Sequence, residues 1–167
     1  MKHSQLFIDS LIHPKKLAAY RIMPIGKVIQ YVFLLITAIT VFSFAQFTSG
    51  VTNDTFNISE VTNYMNDIKW LIYPFAFLLL FVMTTLLVFL RISIYALVGK
   101  LVLQSMKRRG EYRQIWRTSA FAITWSTIFS VLFTFTNISN TVVTMFSILI
   151  TMLFIIIAIS KFPKLPK

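Results

Sequence analysis

The sequence predicts an all-α integral membrane protein with four transmembrane helices and an N-terminal amphipathic interfacial segment, and three observations carry that prediction. First, 57% of the 167 residues are hydrophobic, 17 are Phe and only 13% are charged. The mean hydropathy of +0.77 lies outside the range of a soluble domain of this size. Second, the runs 28–47, 71–90, 118–136 and 141–160 hold no formal charge, and each is long enough to cross a hydrocarbon core of about 30 Å at about 1.5 Å per residue. Third, of the 16 Lys and Arg residues all but Lys69 fall on one side of the threading these runs dictate, the side retained in the cytoplasm. The whole chain, 1–167, then forms a single membrane domain with both ends cytoplasmic.

Residues 1–27 precede the first span. On a helical wheel Phe7, Ile8, Leu11 and Ile12 fall in one arc, with Lys2, His3, Gln5, Asp9 and Ser10 opposite, the pattern of a helix lying in the membrane interface. Pro14 starts a second short segment, which Pro24 and Gly26 break before the bilayer. The span 28–47 competes with a signal peptide cleaved after Ser43-Phe44-Ala45, but its leader and apolar run are both too long for one. The loop 48–69 carries Asp54, Glu60 and Asp67 against Lys69 and is assigned to the outer side. Trp70 and Tyr73 form an aromatic belt at the entrance to 71–90.

Residues 91–117 make a basic cytoplasmic loop. Arg91 ends the second span there, with its side chain extended toward the headgroups. The apolar stretch 92–106 is too short to cross, so it either continues the second helix or lies in the interface. The dense run that follows contains Lys107, Arg108, Arg109, Tyr112, Arg113, Trp116 and Arg117.

Several function classes are excluded or unsupported. The net charge of +11 caps the ends of apolar runs instead of decorating a soluble scaffold, which argues against nucleic acid. The chain has no Cys, so disulfides and thiolate chemistry are ruled out. No Asp, Glu or His lies within a span, leaving proton relays and intramembrane hydrolysis without their residues. Asp9 and His13 read as a helix-surface pair. No catalytic, cofactor or metal site is expected.

What remains is contact surface. Thr118, Ala122, Ser126, Ser130 and Thr134 recur every four residues on the third span, a stripe of small side chains that allows close helix approach. Ser147 and Thr151 begin a similar face on the fourth, and the indole of Trp125 is expected to point into the bundle. Lys15, Lys16, Arg21, Arg91, Lys107, Arg108, Arg109, Arg113 and Arg117 are candidates for contact with anionic lipid, and Tyr112 and Trp116 for docking a partner.

Two stretches carry a family resemblance. Ser10-Leu11-Ile12-His13-Pro14-Lys15-Lys16-Leu17-Ala18-Ala19-Tyr20-Arg21, with Pro24-Ile25-Gly26-Lys27, resembles the N-terminus of a family of small bacterial multi-pass membrane proteins of unknown function, some labelled maltodextrin-utilisation protein. Gly110-Glu111-Tyr112-Arg113-Gln114, with Arg117 and Ala120, resembles the segment entering a span in that family and in the wider Yip1-like group. The chain departs from the pattern in its short outer loop, where relatives carry a larger extracellular domain, and in lacking a proline soon after Ala120. The resemblance implies a helical protein of the bacterial cell membrane, without known catalytic residues and with a link to sugar uptake.

The expected role is a non-enzymatic accessory or scaffold protein that interacts with other membrane proteins, or with itself as an oligomer, and with anionic lipid. The alternative is a small-molecule permease or permease subunit, sugar being one candidate substrate. That role needs a polar cavity at mid-membrane, for which Ser126, Ser130, Thr84, Thr85 and Thr144 are the available hydroxyls.

Overall fold

A computed structural model of the chain describes Leu6, Ser10 and residues 17–53, 59–133 and 139–164, with backbone only at 50–53, 59–67, 69 and 140. Its elements are a short 3-10 helix, Ala19–Ile22, and four α-helices: α1 Ile25–Asn53, α2 Ser59–Ser105, α3 Tyr112–Phe133 and α4 Asn140–Ile159. Three stretches are long and apolar enough to cross a membrane, namely Ile25–Ser49, Trp70–Ser105 and Thr141–Ile159. Helix α3 falls short of that measure because its first turns carry Arg113, Gln114 and Arg117 and its body carries the Ser and Thr stripe. The expected third span ran over 118–136, of which 134–138 lie outside the described residues.

The amphipathic arc of Phe7, Ile8, Leu11 and Ile12 also lies outside the described residues. Ser10, expected on the polar face of that segment, is fully buried and so is Leu6. A serine hydroxyl leaves water only where a partner replaces it, and Tyr31 supplies one at 3.1 Å.

Local chemistry explains where the helices begin and end. Pro24 stands just ahead of α1, and its carbonyl accepts from the amides of Lys27 and Val28. Glu111 precedes α3, where its carbonyl accepts from the amides of Gln114 and Ile115. The Gln114 side chain in turn accepts from the Glu111 amide at 3.3 Å, which is half of a capping box. Helix α2 runs unbroken through Pro74 to Ser105, so 92–106 is a continuation of the helix. It stops because Lys107 adopts a left-handed conformation, φ 50°. The Lys107 amide then bonds to the Gln104 carbonyl and the Arg108 amide to the Leu103 carbonyl, the two bonds of a Schellman cap. Of the segment expected as an outer loop, 48–53 and 59–69 are helical.

The chain forms two compact units, Met1–Leu35 with Phe89–Lys167, and Ile36–Val88. In the first unit α3 is central, with Ile115, the run from Thr118 to Thr124, and Ser126 buried. Phe121 lies between Tyr20 and Tyr31, with ring centroids 5.0 and 4.8 Å away. Gly99 of α2 meets Ile115, Ile155 and Ile159, and a Cβ there would lie 2.8 Å from the Ile115 side chain. The second unit consists of the later part of α1 and the earlier part of α2. Phe44 packs edge-on against Tyr73 and Phe77, and Trp70 is 76% exposed.

Candidate functional site

The basic run folds into a clasp with the segment after α4. The Arg109 amide donates to the Pro163 carbonyl at 2.8 Å, and the Arg108 guanidinium donates to the Phe162 carbonyl at 2.7 Å. Gly110 allows this approach, since a Cβ there would lie 2.9 Å from both Leu103 and Phe162. The Arg21 guanidinium sits 4.9 Å above the Phe162 ring, a cation–π contact. Beside the clasp opens a cleft of about 450 Å³ between Arg21, Arg109, Glu111, Gln114 and Lys164.

The candidate lipid-contact cations therefore divide. Lys107, Arg109 and Arg113 are exposed, while Arg21, Arg108 and Arg117 are half-buried. Arg117 donates to the Arg21 carbonyl at 3.1 Å, and its Nε is buried with no partner. Arg113 pairs with Glu111 at 3.3 Å, but both are largely exposed and the pair contributes little. Lys15 and Lys16 lie outside the described residues. The aromatic pair expected to dock a partner is half-buried: the Tyr112 hydroxyl donates to the Ser93 carbonyl at 3.4 Å, and Trp116 stacks on Phe89.

The stripe on α3 is turned inward over most of its length. Thr118, Ala122 and Ser126 are buried, and Thr118 donates to the Gln114 carbonyl at 3.1 Å. Ser130 is exposed, and Thr134 lies outside the described residues. Trp125 is half-buried against Phe129 and Phe154.

A hydroxyl chain that composition alone does not reveal joins three parts of the sequence. Tyr31 OH lies 3.1 Å from Ser10 Oγ and 2.7 Å from Thr124 Oγ1, and Thr124 donates to the Phe121 carbonyl at 2.7 Å. Each hydroxyl has one proton to give. Thr124 spends its proton on the carbonyl, so Tyr31 donates to Thr124.

Arg91 occupies a different place from the one its spacing suggests. Helices α2 and α4 run parallel in this unit: Tyr95 lies beside Thr151, and Gly99 meets Ile155 and Ile159. That register sets Arg91 level with Ser147. At about 1.5 Å per residue, Ser147 is about 10 Å from the Asn140 end of α4 and about 18 Å from the Ile159 end. Arg91 is thus well inside the apolar depth of α4, because α2 continues past it to Ser105. A cation at such depth costs at least about 2.5–3.5 kcal/mol without compensation.

Around Arg91 lies a cleft of about 240 Å³. Tyr95, Ser126, Ser130, Thr144 and Ser147 contribute its polar wall, and Ile94, Ile148 and Met152 its apolar wall. A third cleft, of about 340 Å³ between Phe129, Phe133, Val142, Val143, Phe146 and Ile150, is wholly apolar.

No curated protein and no solved structure matches the chain. A family described as protein of unknown function (DUF1189) matches residues 40–159. That match covers well over half of the sequence, and the chain belongs to the DUF1189 family.

Proposed function

We propose that the protein is a non-enzymatic, four-span accessory or scaffold protein of the bacterial cell membrane, with both ends cytoplasmic. Its role is to bind other membrane proteins or a second copy of itself, and its basic face holds anionic lipid. The observation that supports this reading is the apolar run Trp70–Ser105 of α2, 36 residues long, with only 11% of its 18-residue apolar window buried. At about 1.5 Å per residue it is about 54 Å long, against a hydrocarbon core of about 30 Å. Tilting alone would need about 56°, beyond the observed range of about 0–40°. Part of the run therefore needs an apolar cover other than lipid. Leu90, Ile94, Leu97 and Leu101, all exposed, form one stripe along it at helical spacing.

Two measurements test the reading. Accessibility of single cysteines at positions 60, 112 and 164 is expected to give outside, inside and inside, and a cytoplasmic position 60 overturns the threading. Photo-crosslinkers at Leu90 and Leu97 are expected to capture a protein in intact membranes; capture of lipid alone at both sites removes the scaffold role.

The second reading, a small-molecule permease or permease subunit, draws support from the cleft beside Arg91, whose wall includes Ser126, Ser130 and Thr144. Uptake of a labelled sugar into vesicles containing the purified protein, above that of empty vesicles, would favour it over the scaffold.

A further inference from the structure

The cleft beside Arg91 brings together a cation, several hydroxyls and no carboxylate. Arg91 is exposed on the helix surface; where that surface meets acyl chains a guanidinium needs an anionic or carbonyl acceptor, and the residues that line this cleft offer it only hydroxyls. A second observation points the same way. Ser147, on the cleft wall, is 2% exposed, and its hydroxyl has no hydrogen-bond partner. Serines in apolar helices ordinarily return their hydroxyl to the carbonyl one turn back. Thr151 does this, donating to the Ser147 carbonyl at 2.7 Å, whereas Ser147 does not. A buried donor left over beside an uncompensated cation is the arrangement of an anion site whose ligand supplies the missing acceptor.

We propose that this cleft binds an oxyanion of the phosphate or carboxylate type within the apolar depth of the bundle. The planar fork of Arg91 takes two of its oxygens. The Ser147 hydroxyl donates to a third. The cleft, at about 240 Å³, is smaller than the roughly 300 Å³ at which drug-sized sites begin, so it accommodates a charged headgroup and leaves any attached tail outside, along Ile94 and Ile148. The ligand is either the headgroup of an anionic lipid or a free anion. The inference depends on neither reading of the protein's role, and the site is distinct from the basic run.

The test uses the full chain in nanodiscs of phosphatidylcholine, with thermal unfolding as the readout. One arm adds increasing phosphatidylglycerol to the discs, and the other titrates inorganic phosphate into discs of phosphatidylcholine alone. A saturable rise in Tm in the first arm only identifies the lipid headgroup, and one in the second identifies the free anion; both support the site. Arg91→Gln is expected to weaken the response about tenfold or more, the equivalent of one charge-assisted hydrogen bond, and Ser147→Ala about fivefold. Lys100→Gln, which removes a charge further along the same helix, is expected to leave it unchanged. Should Arg91→Gln fail to fold, Arg91→Lys keeps the charge and loses the fork, and is expected to weaken binding by an intermediate factor. No response in the wild type, or equal responses in the wild type, Ser147→Ala and whichever Arg91 variant folds, overturns the proposal.

Discussion

Tyr31 illustrates how much one side chain can decide here. Fully buried, it packs its ring on Phe121 and uses its hydroxyl to connect Ser10 with Thr124. Tyr31→Phe keeps the ring, removes the link to Ser10 and takes the Tyr31 donor away from Thr124. Net hydrogen bonds contribute about 1 kcal/mol each and an unsatisfied buried group costs about 1–3 kcal/mol, so the variant is expected to be about 1–3 kcal/mol less stable in reversible unfolding from micelles. Unchanged stability would mean that the chain of hydroxyls is incidental. Nothing in the sequence marks this tyrosine, which lies in a uniformly apolar run where helical periodicity is drowned out. Ser10 falls on the polar arc of its own segment, so its burial is decided wholly by tertiary contacts. Arg91 is the converse case. Its charge is plain in the sequence, but its depth depends on where α2 ends, and that was not legible.

The end of α2 shows why. Helices commonly terminate on a left-handed glycine, and the only glycine close by is Gly110, beyond the actual stop. Lys107 takes the left-handed position instead, at a steric cost of about 1 kcal/mol or more for a residue with a Cβ. Lys107→Gly is accordingly expected to raise stability by about 0.5–1 kcal/mol, and a fall would show that the lysine side chain is held by contacts that outweigh its backbone strain. Packing offers a sharper contrast between two other glycines. Gly99→Ala would bring a methyl to 2.8 Å from Ile115, so a loss of about 1–3 kcal/mol is expected, as for overpacked cores. Gly26→Ala meets nothing within 4 Å and should change stability by less than about 0.5 kcal/mol. Equal effects at the two positions would refute the close approach of α2 to α3 and α4. Of the stripe on α3, Thr118, Ala122 and Ser126 are buried and Ser130 is exposed, and small residues at that spacing allow close helix approach.

At the scale of the whole molecule, composition and charge placement made the helical membrane class legible, since both depend only on the bilayer as solvent. Division of the chain into two units was not legible, because it arises from which parts of α1 and α2 find partners. The basic face also makes a prediction here. Combined Lys107→Gln, Arg108→Gln and Arg109→Gln should reduce retention of anionic lipid, and the difference from wild type should shrink as salt rises and the screening length falls to about 8 Å at physiological ionic strength. Retention that is the same in both proteins at low salt would limit these cations to setting topology. The three tryptophans occupy three distinct settings: Trp70 exposed, Trp116 stacked on Phe89, and Trp125 against Phe129 and Phe154, next in sequence to Ser126 on the wall of the Arg91 cleft. The chain thus carries its own optical labels. Emission from Trp70 should be the most readily extinguished by brominated acyl chains, and a shift in the colour of Trp125 should signal the filling of the cleft beside it.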